Sequence, residues 1–278
     1  MNFKITTLVE NSVPQSGKAL LAEHGLSFYI EAGDRKILFD TGQNLAIANN
    51  ARVLSIDLNQ IDAVVLSHGH YDHSGGLQSI LAINQNFTLY GHPDVFSPKV
   101  KKTNGSYKYI GIPLEKEFIV NRGIALKLDR NPVEIAPGVI TSGEIALEND
   151  FEDVEPMFFL KEGKEILPDT LADDQALILD TEKGMLVLLG CSHRGVINTL
   201  KHVAQMKGTD KIHAILGGLH LGKASDDKLA KIIDHLRGFG LEMVGVGHCT
   251  GPRAFLALAN EFKDRVFLNT VGKVIKFQ

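Results

Sequence analysis

The chain has 278 residues, 44% of them hydrophobic and 22% charged, which predicts a globular protein with a full core. Its formal net charge of −4 argues against a general binder of long nucleic acid and leaves small anionic substrates open. No apolar run reaches bilayer length, the first ten residues lack a signal-peptide pattern, and only Cys191 and Cys249 are present, so a reducing cytoplasm fits and a disulfide framework is not indicated.

In chain order, Phe3 to Val9 reads as a first strand, and Leu26 to Glu31 with Lys36 to Phe39 as a hairpin around Ala32-Gly33-Asp34-Arg35. Asn44 to Leu54 reads as a helix. The apolar run Ile61 to Leu66 then reads as a buried strand and Gly76 to Ala82 as the start of a helix. Between them stands Ser-His-Gly-His-Tyr-Asp-His-Ser-Gly-Gly, residues 67–76, which crowds His68, His70, Asp72 and His73 into one strand-to-helix loop. Neutral imidazole and carboxylate bind borderline divalent cations such as zinc. In so tight a loop His68 and His70 could grip one ion, and Asp72 and His73 a second beside it.

Phe87 to Tyr90 is a further strand. The segment 97–117 reads as irregular, and its Lys99, Lys101, Lys102 and Lys108 suggest a lid whose cations meet an anionic substrate. From Glu117 to Ile145 the pattern is strand-like, followed by hairpins around Glu162-Gly163 and Glu182-Lys183-Gly184. The strand Leu186 to Leu189 runs into Gly190-Cys191-Ser192-His193-Arg194-Gly195 and a helix from Val196 to Met206. Ala214 to Leu216 runs into Gly217-Gly218-Leu219-His220, and Met243 to Val246 into Gly247-His248-Cys249-Thr250-Gly251. Three histidines, His193, His220 and His248, thus follow the carboxyl ends of three successive strands, where open α/β layers place their sites. Ser225 caps a helix, Pro252 starts another, and Val266 to Leu268 and Val274 to Phe277 close the chain as strands. With no low-complexity linker, the expectation is a single domain over residues 1–278, built from two similar halves.

His-x-His-x-Asp-His after a hydrophobic strand resembles the metallo-β-lactamase superfamily. That resemblance implies an α/β (four-layer α+β) fold, an αββα sandwich with a one- or two-metal site at one edge of its sheets. It implies that His68, His70 and His193 hold the first ion and Asp72, His73 and His248 the second. Asp40 matches the family's aspartate at a strand end beneath the metal loop, where it would orient that loop. No carboxylate occupies the family's bridging place; Cys191 stands there and could bridge, or could be a small buried residue behind the ligands. Gly-Cys-Ser-His-Arg-Gly, Gly-Gly-Leu-His-Leu and Gly-His-Cys-Thr-Gly, with the segments 22–27 and 168–177, are similar to one branch. It is the branch of 7,8-dihydropterin-6-methyl-4-(β-D-ribofuranosyl)aminobenzene-5'-phosphate synthase-like proteins.

The resulting expectation is a cytoplasmic, metal-dependent hydrolase with two divalent ions, zinc first and manganese or iron as alternatives. It would act on a small anionic, phosphate-bearing substrate and engage neither a membrane nor long nucleic acid, with a homodimer left open. Asp72 would orient or deprotonate a water, and His220 and Arg194 would donate to the substrate. Two other classes stand beside it: a non-catalytic metal-binding sensor, and a di-iron redox protein on the same scaffold. The flavin-linked redox members carry glutamate where this chain has His70.

Overall fold

A computed structural model describes residues 2–15 and 17–277; Met1 and Gln278, the ends of the expected single domain, lie outside the described residues. Among these residues the strands form two sheets of seven and one of four. The first large sheet runs Val274–Phe277, Phe3–Val9, Ser27–Ala32, Arg35–Phe39, Ala63–Val65, Thr88–Gly91, Ala125–Leu128. The second runs Val266–Leu268, Met243–Val246, Ile212–Gly217, Gly184–Leu189, Ala176–Thr181, Val139–Thr141, Glu134–Ala136.

Each large sheet is built to one plan. A hairpin, Ser27–Ala32 with Arg35–Phe39 or Ala176–Thr181 with Gly184–Leu189, feeds three further strands laid parallel to its second arm. Alternation along these strands divides the apolar residues between two faces. Phe39 and Val65 meet Leu186 and Leu188 in a core between the sheets. Their neighbours Leu38 and Val64 pack under the first helical layer with Ile47, Leu77 and Ile80. Val187 and Leu189 pack under the second helical layer with Val196, Leu200, Ile232 and Leu258. The result is helices, sheet, sheet, helices, with the carboxyl ends of the parallel strands opening on one edge.

Two of the helices start where side chains satisfy their free N–H groups. Ser225 accepts from Lys228 N at 3.1 Å at the head of Asp226–Gly238. The buried Glu152 carboxylate, 45 residues earlier in sequence, accepts from Ile197 N at 2.9 Å and Asn198 N at 2.8 Å. It thereby anchors the helix Val196–Lys207, which begins just after His193.

Two expectations fail. The segment from Glu117 is not strand-like at its start: Lys116–Asn121 is a helix in which Ile119 is buried while Phe118 and Val120 are exposed. The lysine-rich segment is not irregular either. Lys99–Thr103 and Ser106–Tyr109 form a hairpin, and the first arm pairs with Phe158–Glu162, itself paired with Glu165–Pro168. Nor does Lys99 face solvent. It is 1% exposed, and its Nζ lies 2.8 Å from both Asp169 Oδ2 and Asp173 Oδ1. Asp173 Oδ2 in turn accepts from Gly69 N at 2.8 Å, in the middle of the histidine loop.

Removing one member of a buried ion cluster strands the others without a counter-charge. Lys99→Met is therefore expected to destabilise the fold by about 3–5 kcal/mol, read as a lowered urea midpoint.

Candidate metal centre

Asp40 sits at the end of the strand Arg35–Phe39 with φ of 59°, a left-handed conformation that turns its carboxylate inward. The carboxylate is fully buried. Its Oδ1 accepts from Ser67 N at 2.7 Å, and its Oδ2 accepts from Ser67 Oγ at 2.7 Å and faces His73 Nδ1 at 2.7 Å. A carboxylate can only accept, so Ser67 Oγ gives its proton to Asp40 and must accept from His68 Nδ1, 2.8 Å away. That places the proton of His68 on Nδ1 and leaves Nε2 as a bare lone pair. By the same logic His73 donates from Nδ1 and His248 donates from Nδ1 to Asn11 Oδ1 at 3.0 Å. Asn11 Oδ1 is confirmed as an acceptor by Gly25 N, which donates to it at 3.1 Å. Gly190 completes the packing, for a Cβ there would lie 2.1 Å from Ser67 Oγ.

The free nitrogens converge in two groups. His70 Nδ1 lies 3.0 Å from His68 Nε2 and 3.1 Å from His193 Nε2. His73 Nε2 lies 3.1 Å from His248 Nε2, and Asp72 Oδ2 lies 3.4 Å from His248 Nε2 and 3.9 Å from His73 Nε2. Four ligands about 2.0–2.1 Å from one tetrahedral ion stand roughly 3.3 Å from each other. Most of the observed separations are those of ligands sharing an ion, and both groups fit a divalent cation.

Electrostatics agree with that fit. Burial pushes His68, His70 and His193 well below the usual imidazole range, so all three are neutral and can offer lone pairs. Burial also opposes charge on Asp72, yet His73, His24 and His248 outweigh it and hold its carboxyl well below the ordinary range. On His73 burial disfavours charge, but Asp40 and Asp72 prevail and lift its pKa to about 9.

The strand ends Gly184–Leu189, Ile212–Gly217 and Met243–Val246 bring up the remaining histidines. Ser192, His220 and His248 take φ of 57°, 50° and 48°, so the chain turns abruptly at each. The His193 and His220 rings lie against each other with centroids 4.2 Å apart and planes inclined by 50°, and His220 Nε2 reaches Glu155 Oε2 at 3.4 Å. Burial disfavours charge on His220, but Cys249 and Glu155 raise its pKa to about 10.

Cys191 takes one of the two places that the sequence leaves open. It lies among the donors rather than behind them: Sγ is 3.1 Å from His73 Nε2 and within 4.8 Å of donors in both groups. Arg194 differs as well. Its guanidinium donates to Thr170 O at 3.1 Å, and it does not line the cavity over the metal groups. That cavity, of about 260 Å³, is lined by Asp72, Cys191, His193, His220 and His248. Its walls also include His24, Lys101, Glu155, Lys223 and Cys249, none of which sequence reasoning placed as a site residue apart from Lys101 in the supposed lid. Of these, Cys249 carried a signal in its strand-end position beside His248, and His24 in the branch-like segment 22–27.

Comparison with known proteins gives a consistent result. The sequence profile of the metallo-beta-lactamase superfamily matches residues 21–193. The chain is 34% identical to the 7,8-dihydropterin-6-methyl-4-(beta-D-ribofuranosyl)-aminobenzene-5'-phosphate synthase of Methanocaldococcus jannaschii, covering 99% of this chain and 97% of that protein. An uncharacterized protein of the same organism is also 34% identical, with 98% and 99% covered. A solved metal-dependent hydrolase of the beta-lactamase superfamily superposes with a TM-score of 0.84 at 30% identity, covering 98% of both chains. YhfI of Bacillus subtilis, at 14% identity and a TM-score of 0.61, shares the fold.

Because His73 carries a proton below about pH 9 in the metal-free chain, an ion must displace it. Affinity at the group of Asp72, His73 and His248 is therefore expected to rise as pH increases toward that value and then level off. Competition against a chromophoric chelator across pH measures it. Asp40→Asn, which disturbs the tautomers of His68 and His73 together, is expected to weaken ion binding about 10–100-fold in the same assay.

Proposed function

Because this chain belongs to the metallo-β-lactamase superfamily, we propose that it is a metal-dependent hydrolase of small, phosphate-bearing molecules. The observation that carries this reading is the convergence of His68 Nε2, His70 Nδ1 and His193 Nε2 at 3.0 and 3.1 Å, all neutral, with His70 and His193 lining one cavity. Two divalent ions are proposed, zinc first: one held by His68, His70 and His193, the other by Asp72, His73 and His248. Cys191, whose Sγ lies within 4.8 Å of donors of both groups, would be available to either ion. Bound there, such ions would lower the pKa of a water toward neutrality and polarise a phosphoryl or carbonyl oxygen.

The chain's own residues supply the rest. Asp72 is held ionised and faces the cavity, placed to orient or accept a proton from water. His220, whose pKa Cys249 and Glu155 raise against the effect of burial, would donate to a developing negative charge. Its Nδ1 is buried with no partner among the described residues, a free donor for a substrate oxygen. Lys101 and Lys223 line the same cavity and add positive charge at its mouth, while Glu155 holds His220 in place. A cavity of about 260 Å³ suits a small molecule rather than a polymer. The phosphate in the name of the 34% identical relative supports an anionic substrate, although that relative is named a synthase. A cytoplasmic setting and the exclusion of long nucleic acid belong to this reading too. Within the described residues no helix is long and apolar enough to cross a membrane.

Elemental analysis of protein purified without chelator is expected to find about two divalent ions per chain, and His193→Ala to remove about one. A content far below one ion in the unaltered chain would end the metal reading. A panel of phosphomonoesters, phosphodiesters, lactones, thioesters and β-lactams, run with zinc and with manganese, tests the substrate class. Preferential turnover of lactones or thioesters would refute the phosphate reading and keep metal-dependent hydrolysis. For the best phosphate substrate, the double change Lys101→Ala and Lys223→Ala is expected to raise KM about tenfold and change kcat by no more than about twofold.

A further inference from the structure

We infer that His24, delivered by the loop between the first two strands, is a further protein ligand of the ion at Asp72, His73 and His248. The inference rests on the metal reading above and adds a residue outside the histidine loop and the three strand ends. His24 Nε2 lies 3.1 Å from Asp72 Oδ2, and both atoms lie within 4.8 Å of a ligand atom of His248. The His24 ring lies against that of His248, with centroids 5.1 Å apart and planes inclined by 37°. The 3.1 Å separation matches the other edges of this group, 3.1 Å between His73 and His248 and 3.4 Å between His248 and Asp72. It is close to the roughly 3.3 Å expected between ligands on one tetrahedral ion.

The loop is held as a support for this one side chain. Just before it, the Glu23 carboxylate accepts from Gln43 N, Asn44 N and Leu45 N at 3.2, 2.9 and 3.2 Å, spanning the start of the helix Ala46–Val53. Just after it, Gly25 N donates to Asn11 Oδ1, the same oxygen that accepts from His248 Nδ1. Leu26 N then donates to Asp72 O at 3.3 Å. The backbone at Gly25 passes so close to Asp72 that a Cβ would lie 2.3 Å from Asp72 O, and its φ of 143° also favours glycine. The backbone just after His24 is thus tied to Asp72 and to the partner of His248, and the side chain just before it to the start of a helix. Its side chain is nevertheless 54% exposed, so no packing requirement explains an imidazole at this position.

The alternative role is a hydrogen bond to Asp72 without coordination. Cobalt(II) distinguishes the two, because its visible absorption reports the ligands around it, and the readout needs no substrate. The comparison uses the unaltered chain, His24→Ala, His24→Gln and His24→Cys. Each is titrated with cobalt(II) and, by chelator competition, with zinc. His24→Ala is expected to lower affinity for the second ion at least about tenfold and to change the cobalt spectrum, leaving the first ion in place. His24→Cys is expected to restore affinity and to add a thiolate charge-transfer band, whereas His24→Gln does not restore it. Full affinity and an unchanged spectrum in His24→Ala, or recovery by Gln and not by Cys, would overturn the inference. Failure of the unaltered chain to bind a second ion at all would instead overturn the two-ion reading on which it depends.

Discussion

The buried carboxylate of Asp40 is the interaction on which the centre depends. One side chain at a strand end holds Ser67 by two hydrogen bonds and His73 by a third, and through Ser67 it sets the tautomer of His68. Without it the ring nitrogens of the loop would have no reason to point bare lone pairs into a shared cavity. Burying a carboxylate is costly unless its oxygens are satisfied, and three donors satisfy them here. The arrangement also links the halves of the molecule, since Gly190 of the second sheet must lack a side chain for Ser67 to fit.

A second set of constraints works from the other side of the loop. Asp173 accepts from Gly69 N between His68 and His70, Lys99 neutralises Asp173, and Asp169 shares Lys99. Asp174, next in sequence, accepts from Arg194 N and so steadies the turn that carries His193. Arg194, which the sequence suggested as a donor to substrate, serves through its backbone instead, with its guanidinium on Thr170 O. The small sheet that contains Lys99–Thr103 and Phe158–Glu162 therefore buttresses the centre from one wall. Phe158 touches it directly, with ring centroids 5.2 Å from both His70 and His193.

Much of the framework could be read in the sequence because the strands alternate or run apolar, and the histidines cluster in one loop or follow strand ends. Phe3–Val9, Met243–Val246 and the hairpins fall where the residue pattern places them. Features that depend on distant partners could not be read in this way. Lys99 read as one of a run of lid cations because its partners lie 70 and 74 residues away. His24 stood in the branch-like segment 22–27, a loop without periodicity, and only the fold carries it to Asp72. Lys116–Asn121 was misread because Phe118, Ile119 and Val120 favour strands locally, while its surroundings bury one face alone. Cys191 could be located but not assigned, since small buried thiols and ligand thiols look alike in a sequence.

His73 and His248 come from opposite halves of the chain, 175 residues apart, and meet at 3.1 Å. An ion shared by them is therefore also a cross-link, closing a loop as a disulfide would. By the (3/2)RT ln n scaling, holding such a loop closed costs a flexible chain about 4–5 kcal/mol of entropy. The free concentration of metal around the protein then becomes a thermodynamic variable of its folding, not only of its chemistry. Starving the chain of metal would loosen the junction between its two sheets before it disturbed either sheet alone.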